Sequence, residues 1–319
     1  MSVSKWNGRG LWLLALILCV GCGGGDDKPE PADASLQATD VGYSDGALQS
    51  DVTATVVDAE GLAVAEVAIR LVSDRASDVV EPAEGITDSA GQVVFTLRSS
   101  SAGYPKLQLY LQPDNVLLGD PLDLDLGLSL SMETGLVSLT ASGWQVSFEA
   151  TLVSDIDGVP MELTSDREAG LDLVEPASLA SIGGQAVTFV ASSTHAGAPM
   201  FNLRLQGIEN SNVASNMVLF RHGANLSAGD LEPLQPGGRI PVTVTITDDS
   251  GPVAGLSLSL ESDRAAEDGI EPAAGTTDGA GQVVFQVSTT TAGNPTLSLS
   301  MAGLTLDMVP SLQLDFSSI

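Results

Sequence analysis

The sequence predicts an all-β protein built from three tandem two-sheet sandwiches. Three observations carry that expectation: apolar residues alternate with polar ones over short runs, turn-forming residues separate the runs, and one set of landmarks recurs three times. Apolar residues make up 43% of the 319 residues but aromatics only 4%, beside 34 Gly and 16 Pro. Cores must therefore be assembled mainly from Val, Leu, Ile and Ala, which suits many short strands joined by turns.

The repeat is explicit. Ser73-Asp74-Arg75 recurs as Ser165-Asp166-Arg167 and as Ser262-Asp263-Arg264, at intervals of 92 and 97 residues. Each triplet is followed by an acidic-proline pair, Glu81-Pro82, Glu175-Pro176 and Glu271-Pro272. Next come Gly91-Gln92, Gly184-Gln185 and Gly281-Gln282, leading to Phe95, Phe189 and Phe285, and last Ala102-Gly103, Ala196-Gly197 and Ala292-Gly293. A fixed order of landmarks repeated in this way marks an array of like units.

Between landmarks the pattern has the period of two that a strand with one buried face requires. In the third copy Ile240, Val242, Val244 and Ile246 alternate with Pro241, Thr243, Thr245 and Thr247, and Leu256, Leu258 and Leu260 alternate with Ser257, Ser259 and Glu261. Asp248-Asp249-Ser250-Gly251 and Asp278-Gly279-Ala280-Gly281 supply turns between such runs. About seven short strands in about 95 residues, without helical periodicity, is the signature of a two-sheet sandwich.

The stretches Val57-Asp58-Ala59-Glu60-Gly61, Thr87-Asp88-Ser89-Ala90-Gly91-Gln92 and Thr277-Asp278-Gly279-Ala280-Gly281-Gln282 resemble the group-one bacterial immunoglobulin-like domains of intimin- and invasin-type adhesins. The resemblance covers residues 46–112 and 238–302. The middle copy departs from it, with Ala180-Ser181-Ile182-Gly183-Gly184 in place of the Thr-Asp turn. What the resemblance implies is an extracellular or envelope module that binds or spaces rather than catalyses.

The N-terminus has a different character. Lys5 and Arg9 precede the apolar run Leu11 to Val20, which is too short to span a bilayer well and has the length of an export-signal core. Leu18-Cys19-Val20-Gly21-Cys22 resembles the lipobox of bacterial lipoproteins, which implies cleavage before Cys22 and its lipidation; Cys19 stands where that family usually has Leu. Gly23 follows the cysteine where an Asp would resemble the inner-membrane retention signal, so the resemblance points to the outer membrane. The Gly-, Pro- and acid-rich stretch that follows reads as a flexible tether. The expected organisation is a signal peptide at 1–21, a tether at 22–45, and immunoglobulin-like domains at 46–128, 129–222 and 223–319.

Charge narrows the partners. The chain has 12 Lys plus Arg against 41 Asp plus Glu, and two of those bases, Lys5 and Arg9, lie ahead of Cys22. Binding to nucleic acid requires Lys and Arg to displace phosphate counterions, so a nucleic-acid partner is excluded. The expected partners are the membrane, through the lipid anchor, and a protein at the cell surface or in the envelope. Both cysteines, Cys19 and Cys22, lie in the first 22 residues, so no disulfide can brace the repeats.

Candidate chemistry is sparse. The only histidines are His195, expected as an exposed turn residue of the second copy, and His222, expected in the linker to the third. With no other catalytic constellation in sight, the chain is expected to be no enzyme and to need no cofactor. Each Ser-Asp-Arg triplet is expected to staple a loop through an Arg to Glu pair, Arg75 with Glu81 in the first copy, such exposed pairs contributing about 0–1 kcal/mol. Asp58, Asp88, Asp248, Asp249 and Asp278 are oxygen ligands of the kind calcium takes, particularly where modules meet, but no EF-hand or nonapeptide spacing is present and solvated turns fit better. Trp144, the sole tryptophan beyond the signal segment, is expected in a core.

Overall fold

A computed structural model describes residues 29–234 and 236–318. The expected export signal, Cys19, the expected lipidation site Cys22 and the first part of the expected tether lie outside the described residues. Among the described residues the structure is all-β, with 28 strands arranged in three tandem immunoglobulin-like β-sandwiches.

The first module comprises β1 (Asp33–Ala38), β2 (Gly42–Ser44), β3 (Ala47–Val57), β4 (Ala68–Ser73), β5 (Asp78–Glu81), β6 (Gly85–Ile86), β7 (Gln92–Ser99), β8 (Lys106–Leu111) and β9 (Val116–Asp123). One sheet has the order β1-β3-β7-β5 and the facing one β6-β4-β8-β9. The second module repeats this with β10 (Leu130–Thr134), β11 (Ser138–Thr140), β12 (Gly143–Leu152), β13 (Pro160–Ser165), β14 (Asp172–Glu175), β15 (Ser178–Ala180), β16 (Val187–Ser193), β17 (Met200–Leu205) and β18 (Ala214–Met217), ordered β10-β12-β16-β14 and β15-β13-β17-β18. The third comprises β19 (Gly223–Ala228), β20 (Glu232–Pro233), β21 (Gly238–Asp248), β22 (Gly251–Pro252), β23 (Ser257–Ser262), β24 (Asp268–Glu271), β25 (Gly275–Thr276), β26 (Gln282–Thr289), β27 (Thr296–Met301) and β28 (Ser311–Gln313), ordered β19-β21-β26-β24 and β25-β23-β27-β28.

Alternation fixes the register. Along β3 every second residue is buried, so Val52, Ala54 and Val56 face the opposite sheet while Thr53 and Thr55 face outward. Across the central strand pairs Val52 stands opposite Phe95, Phe148 opposite Phe189 and Val242 opposite Phe285. These four phenylalanines are fully buried, so each core has a large ring at its centre. A register slip of one residue would turn each ring toward solvent.

Strands occupy part of the stretch expected to be a tether. β1 and β2 lie within the stretch expected to be flexible to residue 45, and β1 pairs antiparallel with β3 from Asp33↔Val57 to Ala38↔Val52. It is an edge strand whose inner face is only Ala34, Leu36 and Ala38, each half-buried. Such a face is too weakly apolar to stand out beside the acidic and small residues around it. β10 and β19 occupy the same edge in the later modules.

The divergent middle copy keeps the same internal tie. Buried Thr87 donates its hydroxyl to the Val64 carbonyl at 2.7 Å and accepts from the Val67 N–H at 2.9 Å. Ser181 does the same between the Ile156 carbonyl at 2.7 Å and the Val159 N–H at 3.0 Å. Thr277 accepts from the Leu256 N–H at 3.0 Å in the third module. The Thr-to-Ser change retains the hydroxyl that the site uses.

Candidate functional site at the module junctions

The Ser-Asp-Arg triplet ends one strand and begins the loop before the next, and each of its residues has a separate task. The middle Asp caps the start of a neighbouring strand: Asp74, Asp166 and Asp263 accept the N–H of Lys106, Met200 and Thr296 at 2.9, 2.9 and 3.0 Å. The Ser and the Arg converge on a second carboxylate. Ser73, Ser165 and Ser262 donate at 2.5 Å to Asp78, Asp172 and Asp268, whose side chains are 0% exposed. Arg75 grips Asp78 at 2.9 Å, Arg167 lies 3.4 Å from Asp172, and Arg264 lies 3.1 Å from Asp268.

The expected Arg to Glu staple is therefore an Arg to Asp pair. Asp78 and Glu81 sit three residues apart on β5, so the pleat turns them to opposite faces and Glu81 is exposed. Burial alone would raise the pKa of Asp78, but hydrogen bonds from Arg75, Ser73 and Ser99 outweigh it and hold the carboxyl below its ordinary value. The sequence did carry a signal for this residue. The distance from Ser to Asp varies between copies, but Asp-x-x-Glu-Pro is constant at Asp78, Asp172 and Asp268.

The same arginine also reaches the loop that meets the next module. Arg75 donates to the Ala102 carbonyl at 3.1 Å, Arg167 to the His195 carbonyl at 2.9 Å and the Ala196 carbonyl at 3.2 Å, and Arg264 to the Ala292 carbonyl at 3.4 Å. In the first module this loop pairs with the β17–β18 loop of the second in parallel fashion, Ser101 beside Glu209. The Glu209 N–H donates to the Ser100 carbonyl and the Ala102 N–H to the Glu209 carbonyl, both at 2.8 Å. Asn210 adds a side-chain bond to the Ser101 hydroxyl at 2.7 Å. The second junction repeats the device: Thr305 donates to the Thr194 carbonyl and accepts from the Ala196 N–H, both at 2.8 Å, with His195 beside Thr305.

His195 is thus not a freely exposed turn residue. It is half-buried because its backbone forms this inter-module ladder, and its ring Nδ1 lies 3.1 Å from the Thr194 hydroxyl. His222 also sits in the second junction, where its ring centroid lies 6.1 Å from that of Trp144. Burial pulls the His222 pKa down, and Asp307 from the third module partly counters it. Trp144 is fully buried and donates its ring N–H to the Arg221 carbonyl at 3.1 Å. Phe220, Arg221, His222, Asp307 and Met308 line a cleft of about 420 Å³ between the modules.

The acidic turns hold backbone. Asp58 accepts the N–H groups of Glu60 and Leu62, Asp88 those of Ala90 and Gln92, and Asp278 those of Ala280 and Gln282. Asp248 accepts from Ser250 with one oxygen and, at 2.8 Å, from the Leu139 N–H of the second module with the other. Asp249 pairs with Arg221 at 3.5 Å. Among the described residues no group of three or more His, Cys, Asp or Glu is arranged to hold a metal.

No protein-family model and no curated protein matches the chain in sequence. Several solved structures show similarity to it at low TM-score. The D0-D1 domain of intimin is 17% identical, with 58% of this chain and 97% of that chain covered at a TM-score of 0.27. Invasin, a bacterial integrin-binding protein, is 13% identical, covering 89% of this chain and 60% of that chain at 0.28. The Escherichia coli adhesin FdeC is 16% identical, covering 90% and 97% at 0.27. Fold and junctions together define the class: a tandem array of immunoglobulin-like sandwiches joined by backbone pairing.

Proposed function

We propose that the chain is a membrane-anchored envelope lipoprotein acting as a non-catalytic structural stalk or adhesion module. The observation that carries this reading is the junction, built twice from the same loop, the same arginine and the same two backbone bonds. A device that aligns successive sandwiches serves a protein that must span distance. Sandwiches with strands of about 8 residues at about 3.3 Å each, plus loops, would give three modules a length of roughly 110 Å. The lipobox-like Cys22 would hold the base in the outer membrane, since several acyl chains anchor far more firmly than one at about 0.8 kcal/mol per buried methylene.

A second reading is an accessory or ligand-binding subunit of a larger envelope assembly, and the cleft lined by Phe220, Arg221, His222, Asp307 and Met308 favours it. Mass spectrometry of the N-terminal peptide from cell membranes, with antibody labelling of the third module on intact cells, tests the proposal. A diacylated or triacylated Cys22 and surface labelling are expected. An unmodified residue 22, or a third module reachable only after permeabilisation, would overturn the surface lipoprotein reading.

A further inference from the structure

The two junctions share a backbone device but differ in the side chain carried by the connection behind it. Gly103 pairs with Leu126 and Gly197 with Phe220, so the residue two places on is Leu128 at the first junction and His222 at the second. Leu128 is buried and has nothing to titrate. His222 puts an imidazole in the same place, half-buried, beside the Trp144 ring. Its Nδ1 is fully buried and, among the described residues, has no hydrogen-bond partner. A neutral imidazole can leave that nitrogen bare. An imidazolium carries an N–H on both ring nitrogens, so protonation puts a charged donor at Nδ1 with nothing to accept it.

The charges around the ring do not supply that acceptor. Asp307, on the β27–β28 loop of the third module, attracts the proton through space. Its Oδ1 lies 3.8 Å, and the Arg167 guanidinium 3.7 Å, from where a Gly197 Cβ would stand, so Arg167 competes for it. Arg221, next to His222 in sequence, is itself a cation and pairs with Asp249. Asp248 is occupied by the Ser250 and Leu139 N–H groups. His195, the other histidine of this junction, has the Thr194 hydroxyl beside its Nδ1. We propose that the second junction is an acid-sensitive hinge: protonation of His222 loosens the third module from the second, while the first junction, with Leu128 in that place, stays docked. Burial holds the docked ring below the ordinary 6.5 of a histidine, so the undocked state binds the proton better. Docking is fully present above 6.5 and weakens as pH falls below it.

The test uses the chain from Pro29 onward, labelled with nitrogen-15, between about pH 7.5 and about pH 5, the range in which histidine changes charge. The Ala102 and Ala196 amides each bond across one junction, so their exchange rates relative to intrinsic values report the two dockings side by side. One proton is taken up on opening, so protection at Ala196 is expected to fall by up to about tenfold per pH unit below 6.5 while Ala102 holds. His222→Leu, which copies the first junction, is expected to remove the response, and His195→Gln to keep it. Titration of the His222 ring protons in the native protein needs no variant, and its midpoint is expected below 6.5. A midpoint at or above that value, equal loss of protection at Ala102 and Ala196, or a response that survives His222→Leu or follows His195 would overturn the proposal. The hinge is read in solution, so its failure is separate from the failure of the lipoprotein reading.

Discussion

Replacing Arg167 by Leu isolates the buried ion pair in the one module with its own fluorescent reporter. The substitution leaves the fully buried Asp172 carboxylate with Ser165 as its hydroxyl donor and removes three hydrogen bonds to the His195 and Ala196 carbonyls. Breaking a buried pair by removing one partner costs about 3–5 kcal/mol, but Arg167 is 16% exposed and water can partly replace it, so about 2–4 kcal/mol is expected. With a urea m-value of about 1.5 kcal/mol per molar for a module of this size, the midpoint falls by roughly 2 M. Trp144 is the only tryptophan in a chain beginning at Pro29, so its fluorescence follows the second module alone. Arg167→Leu combined with Asp172→Leu should recover part of the loss, because no charge is then stranded. A midpoint shift under about 0.3 M, or a double variant weaker than the single one, would refute the assigned pair.

Other outcomes follow from the same geometry. Asp78 has a folded pKa below its ordinary 3.8, so the stability it contributes is present above that value and is lost as pH falls through the folded pKa. Asp78→Asn should therefore cost about 2 kcal/mol at neutral pH, and the gap between variant and native protein should close below pH 3.8. Urea titration followed by the tyrosine near-ultraviolet signal reads this out, since all three tyrosines lie in the first module. Gly281 has φ +69°, and an added Cβ would lie 2.4 Å from the Ile246 carbonyl oxygen. Gly281→Ala should cost at least about 2 kcal/mol and lower the melting temperature of the third module by roughly 10 °C, whereas Gly279→Ala, which meets nothing within 4 Å, should be near neutral.

Much of the sandwich was legible because a period of two and a thrice-repeated order of landmarks are local signals. Val242, Val244 and Leu258 could be placed on the inner face by alternation alone. β1 was not legible, because an edge strand buries one face against a single neighbour and Ala34, Leu36 and Ala38 scarcely differ from a tether. The Arg to Asp pairing was misread as Arg to Glu, since the loop between Ser73 and Asp78 changes length among copies and hides the common partner. The junction was the least visible of all. It is made by backbone groups of Ser100, Ala102 and Glu209, and backbone pairing imposes no side-chain pattern on either loop. His195 and Asp248 looked like turn residues because each stands beside a turn; what makes them matter is the module that packs on them.

Amide hydrogen exchange at three equivalent positions bears most directly on the junctions. If the loops braced by the Ser-Asp-Arg arginines dock successive modules by backbone pairing, the Ala102 and Ala196 amides exchange slowly, tens-fold or more behind their intrinsic rates, while the Ala292 amide exchanges near its intrinsic rate. Equal, rapid exchange at all three would mean that the sandwiches are strung loosely, with no built junction between them.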